Sequence, residues 1–135
     1  MARKRLLFAI RLLVSLNLFY AAMFLKFAGA PYSVAAFTMM SNAVHGLISQ
    51  PVFRIGSGVF ETVLALLFLI PRTARYAAAL IALWMIAAIL SHIFVLGYGW
   101  IFVDALAIFL LSCLYLFLTR TQSGNIAGAA LSGRV

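Results

Sequence analysis

The chain has 135 residues, of which 67% are hydrophobic and 9% charged, and its mean hydropathy is +1.17. A soluble domain is roughly 45–50% apolar and about 25% charged, so this composition excludes a soluble globular protein and indicates one integral membrane domain. The net charge of +8 would suggest nucleic acid in a soluble chain. Here the cations flank apolar runs, which makes them topology signals and excludes nucleic acid as a partner.

In chain order, Met1 to Arg5 is a short basic leader. It has the charge of a signal-peptide n-region, but Arg11 interrupts the apolar run that follows and no clear cleavage site appears. The reading is a first spanning helix over Leu6–Ala28, with Arg11 snorkelling back to the headgroups and Lys26 near the far end. Gly29-Ala30-Pro31 breaks that helix. Tyr32 to Gln50 has no formal charge, is too polar for a span and too apolar for a solvated loop. It reads as a short helix lying at the membrane surface or dipping into the bundle mouth, closed by Gly46 and Pro51.

A second span covers about Val52–Ile70 and holds Glu61, and Pro71 to Arg75 makes a basic turn. A third span, Tyr76–Leu96, is rich in alanine, which permits close helix approach, and carries His92. Gly97 to Trp100 is an aromatic turn of interfacial type. A fourth span covers about Ile101–Leu118, with Asp104 near its start. Residues 120–135 read as a flexible tail rich in small residues. The expected fold is therefore all-α: an antiparallel four-helix membrane bundle with one short extra helix between the first two spans.

With the N-terminus inside, the inner ends hold Arg3, Lys4, Arg5, Arg11, Arg72, Arg75, Arg120 and Arg134, against Lys26 and Arg54 outside. That bias puts both termini in the cytoplasm. It also collects Lys26, Arg54, Glu61, His92 and Asp104 in the outer half, over an apolar inner half. A carboxylate inside a membrane helix is expensive and is a functional-site hypothesis once a partner is named. Arg54 and Glu61 share a helix face but stand about 10 Å apart along the axis, so Lys26 or His92 is the expected direct partner of Glu61. Ser57 and Gly58, on the same side, leave room for side chains from neighbouring helices.

Several residue patterns recur together here: Lys26-Phe27-Ala28-Gly29-Ala30-Pro31; Pro51-Val52-Phe53-Arg54 with Gly58 and Glu61; Leu69-Ile70-Pro71-Arg72-Thr73-Ala74; and Ala88 to Gly97 around His92. In this order and spacing, over about residues 10–118, the chain resembles the DoxX/DoxX-like family of small four-helix membrane proteins. The resemblance implies polar family positions at Lys26, Glu61 and His92 and a link to thiosulfate:quinone oxidoreductase and other membrane redox complexes. It thus implies a quinone as ligand and an oxidoreductase as partner, besides the lipid bilayer and a second copy of the chain as a further candidate. Fold transfers through such a likeness better than chemistry.

Plainer readings stand beside these. Glu61 with Lys26 or Arg54 also reads as a structural ion pair that fixes helix register, which would make the protein a non-catalytic membrane scaffold. His92 reads as a hydrogen-bonding partner of Glu61 before it reads as a metal ligand. His45 and His92 lack short metal-ligand spacing, so no metal is expected. Asp104 is explained by helix capping and the helix dipole. Trp84, Trp100 and the twelve Phe read as lipid-facing or packing residues. The single cysteine, Cys113, rules out a Cys-x-x-C quinone reductase. No redox centre or catalytic set is visible in the chain, so electrons would have to come from a partner, and translocation would lack polar residues in the inner half.

Overall fold

The computed structural model describes the backbone of residues 2–132 and the side chains of residues 2–120. The tail expected over 120–135 falls almost wholly on side chains outside the described residues, and 133–135, with Arg134, lie outside them altogether.

Helix α1 (Ala2–Tyr20) runs without a break into a π-helical turn, Ala21–Phe27. Gly29, at φ +69°, turns the chain, a conformation glycine adopts without steric cost. Pro31 then opens α2 (Pro31–Ala43) in its first turn, where its missing N–H is no loss. α2 ends seven residues before the expected Gln50, because His45 (φ +54°) and Gly46 (φ +72°) leave the helical region. The Ser41 hydroxyl donates to Ile48 O at 2.7 Å and holds the connecting strand of chain back against α2.

Helix α3 (Gln50–Leu69) has proline in its first turn and stops at Ile70, which is extended at φ −79°, ψ 119°. A residue before proline avoids the helical region for steric reasons, and Ile70 precedes Pro71. The Thr73 hydroxyl donates to Leu67 O at 2.6 Å and draws the turn tight. Helix α4 (Ala74–Ser91) continues into a second π turn, His92–Leu96, which ends at Gly97 with φ +79°. Helix α5 (Trp100–Ser132) completes the described chain.

Among the described residues, four helices are long and apolar enough to cross a bilayer: Ala2–Phe27, Gln50–Leu69, Ala74–Leu96 and Trp100–Arg120. The chain is a multi-pass membrane protein, and the expected all-α bundle with one short extra helix is the fold observed. The spans α1, α3, α4 and α5 form a ring in which α1 touches α3, α3 touches α4, α4 touches α5, and α5 closes on α1. α2 lies across one mouth of this ring, against α3 and both π turns.

Buried positions follow the helical period. On α3 they are Ser57, Gly58, Glu61, Leu64, Ala65 and Phe68, a single inward stripe. On α1 the stripe is Ile10, Val14, Ser15 and Leu18. α4 contributes Ala74, Ala77, Ala78, Ile81, Ala82 and Met85, small residues that let it approach α5 closely. Towards the end of the bundle that holds Arg3, Phe68 and Tyr115 meet edge to face at 4.9 Å between centroids. There Arg3 donates to Leu118 O, and Arg11 donates to Leu69 O at 3.2 Å. Arg11 therefore takes up one of the free carbonyls at the C-terminal end of α3 as well as lying at the level of that end. The outward faces carry Leu13, Leu16, Phe24, Leu66, Leu83 and Phe117, all exposed, as a lipid-contacting surface requires.

Candidate functional site

At the α2 end the same four helices separate around a cavity of about 380 Å³, within the ordinary range of small-molecule sites. Lys26, Glu61, His92 and Asp104 all line it. Four of the five site residues expected from sequence are thus gathered in one place.

Lys26 owes its position to the first π turn. The Ala28 N–H donates to Met23 O at 3.0 Å, five residues back, so the turn holds one residue more than an α-helical turn. Such bulges re-aim a side chain and recur at functional sites. α3 meets this turn at Gly58: a Cβ there would stand 2.9 Å from Phe27 Cε1 and 3.2 Å from Lys26 Cβ. The missing side chain permits the close approach that brings Lys26 beside Glu61, one helical turn on. The Lys26 ammonium forms an ion pair with Glu61 Oε1, and its Nζ lies 5.9 Å from the centre of the Phe37 ring on α2.

Glu61 is only 5% exposed. Its Oε1 also accepts a hydrogen bond from Trp84 Nε1–H at 2.9 Å. Trp84 is steadied by the Phe60 ring, 4.7 Å away between centroids. Oε2 is buried, and no described residue partners it. The expectation that Trp84 merely packs or faces lipid is corrected here, since its single N–H is spent on the buried carboxylate. Sequence carried a usable signal. Glu61 and Trp84 stand equally far from the turn at Arg72-Thr73, so a tight α3–α4 hairpin brings them to the same depth.

His92 opens the second π turn and is 4% exposed. Its Nδ1 lies 3.0 Å from Gly97 O, while Gly97 N–H donates back to His92 O at 2.8 Å. A carbonyl can only accept, so Nδ1 carries the proton, and in the neutral imidazole Nε2 is then an acceptor. The expected hydrogen bond between His92 and Glu61 is not made. The π turn directs the ring's Nδ1 to the Gly97 backbone, and Trp84 takes the place on Glu61.

Asp104 is also placed differently from expectation. α5 begins at Trp100, so Asp104 lies one turn inside the helix and does not cap it. Its Oδ1 accepts from Asn17 Nδ2 of α1 at 2.8 Å. Asn17 is the site residue that the sequence reading passed over, although a lone amide within an apolar span is a recognisable signal. Asn17→Leu is expected to lower stability by about 1.5–3 kcal/mol, the range for a hydrogen bond to a charged group. Thermal unfolding in detergent beside the wild type measures it, and an unchanged midpoint would make the contact energetically idle.

Arg54 does not line the cavity. Its guanidinium packs under the Gly29 turn, where a Cβ would stand 3.5 Å from Nη1. Seven residues from Glu61 is too far for a direct pair, and the turn after α1 offers the nearer surface. His45 is exposed in the turn after α2 and is absent from the cavity wall. Among the described residues no group of three or more His, Cys, Asp and Glu side chains could hold a metal ion.

No family model, no curated protein and no solved structure matches the chain.

Proposed function

We propose that the protein is a DoxX-like accessory subunit of a membrane redox complex whose cavity binds the head of a quinone-class amphiphile. The observation that carries this reading is the cavity of about 380 Å³, built from polar groups at one depth and apolar walls around them. Its size suits one aromatic ring with the start of an aliphatic tail. Phe37, Phe53 and Trp84 line it and supply flat faces for a ring, while the Lys26–Glu61 pair supplies charge to orient it. Resemblance to the DoxX-like family at Lys26, Glu61 and His92 supports the same ligand class. The chain offers no redox centre of its own, so electrons reach or leave the ligand through a partner oxidoreductase. Under this reading the protein sits in a bacterial-type inner membrane with both termini cytoplasmic and the cavity in the outer half, as the cation bias indicates.

Tryptophan fluorescence gives a direct test, since Trp84 and Trp100 both line the cavity and quinones quench indole emission on contact. Titration of a decyl-benzoquinone into the full chain in lipid nanodiscs is expected to give saturable quenching. Ala88→Phe, which fills part of the wall, is expected to weaken it by about tenfold, roughly 1.4 kcal/mol of binding free energy, with the helical circular dichroism retained. Quenching that rises linearly without saturation, or that Ala88→Phe leaves unchanged, favours the scaffold reading, in which the buried charges only fix the bundle.

A further inference from the structure

We infer that the cavity selects a head that donates a hydrogen bond, so that within the quinone class it holds the hydroquinone form rather than the quinone. This inference rests on the binding role proposed above and names the ligand's chemistry more closely.

Two acceptors on buried residues of the cavity still lack donors among the described residues. Glu61 is 5% exposed, and both of its bonds fall on one oxygen: Lys26 and Trp84 each donate to Oε1. Oε2 is buried with no partner among the described residues. A carboxylate oxygen accepts and cannot donate. A buried charged acceptor left without a donor is costly, more so than a neutral one. His92, where α4 passes into its π turn and 4% exposed, has its Nδ1–H committed to Gly97 O, which leaves Nε2 as a second acceptor. Glu61 and His92 both line the same cavity.

A quinone head carries only acceptor oxygens. Placed here, it would set carbonyl lone pairs against Glu61 Oε2 and His92 Nε2 and leave both unsatisfied. A phenolic hydroxyl does the reverse. It donates to Oε2 and, through its own oxygen, accepts from the remaining N–H groups of the Lys26 ammonium. A hydroquinone has a second hydroxyl to donate to His92 Nε2. Sites built to hydrogen-bond a hydroxyl reject analogues that lack it far more strongly than apolar pockets reject a missing methylene.

The test compares three probes with the same decyl tail in the full chain in nanodiscs under anaerobic conditions: the hydroquinone, the benzoquinone and the hydroquinone dimethyl ether. The hydroquinone is expected to bind at least about tenfold more tightly than either of the others. In the double variant Lys26→Met/Glu61→Gln, the amide oxygen still accepts from Trp84, so the amide NH2 takes the place of Oε2. That change exchanges the acceptor for a donor, and the preference is expected to invert towards the quinone. Equal binding of hydroquinone and quinone by the wild type would overturn the inference, as would tighter quinone binding, while leaving the quinone-class site in place. Equal binding of hydroquinone and its dimethyl ether would also overturn it, because the ether has no hydrogen to donate. Failure of all three probes to bind would remove both the inference and the site. Should the double variant not fold, the wild-type comparison of hydroquinone with its ether decides alone.

Discussion

Lys26→Met is expected to lower the unfolding free energy by about 3–5 kcal/mol, because it removes one partner of a buried pair and leaves the other charge uncompensated. The Glu61 carboxylate would keep only the Trp84 N–H on Oε1, with nothing on Oε2. Replacing both partners avoids that situation, since two uncharged side chains leave no uncompensated buried charge. The double variant Lys26→Met/Glu61→Gln is therefore expected to recover most of the loss, its amide oxygen still accepting from Trp84. Reversible unfolding in mixed micelles, run on the wild type, both single variants and the double, gives the coupling energy directly. A coupling near zero, with the single losses simply adding, would mean that the pair contributes nothing to the bundle.

Two glycines on α3, two residues apart, are expected to respond to alanine with opposite signs. At Gly58 a Cβ would meet Phe27 Cε1 at 2.9 Å and Lys26 Cβ at 3.2 Å, whereas at Gly56 nothing lies within 4 Å. Gly58→Ala is expected to lower stability by about 1–3 kcal/mol, the usual range for overpacking, and to push the π turn away from α3 so that the ion pair loosens. Gly56→Ala adds no clash and removes a poor helix former, so it is expected to raise stability by up to about 1 kcal/mol. Melting curves of the two variants in one detergent settle the comparison. Equal shifts for both would show that α3 and the π turn are not in close register at Gly58.

Much of this architecture was legible in the sequence. Spans expected at 6–28, 52–70, 76–96 and 101–118 are observed as Ala2–Phe27, Gln50–Leu69, Ala74–Leu96 and Trp100–Arg120. Proline and glycine mark the breaks for steric reasons that hold in any environment. The depth of each polar residue could also be read, because a helix of known rise in a slab of known thickness fixes depth. Rotation about the helix axis could not. Hydropathy is nearly uniform around α4 and α5, since lipid and core are both apolar, so pattern there does not say which side faces inward. That is why only part of the pairing is foreseen: of Lys26 and His92, the two expected partners of Glu61, Lys26 alone bonds it, while Asp104 pairs with Asn17 rather than capping its helix and Trp84 bonds Glu61 rather than only packing. The His92 and Trp84 differences concern azimuth, and His92 opens a π turn, where regular spacing does not apply; Asp104 differs in its place along α5.

The π turns make the site depend on a residue count. Between Ala21 and Phe27 the helix accommodates one residue beyond α-helical register. Loss of a single residue there would close the turn into regular α-helix and remove the bulge that sets Lys26 and Phe27 against Gly58, while leaving length, charge and apolarity almost unaltered. Two chains related by such a one-residue gap would share the bundle and its membrane spans, yet only one of them would carry the bulge that seats the ion pair. In tracing descent among chains of this shape, the position of that gap therefore says more about the site than the percentage of identical residues.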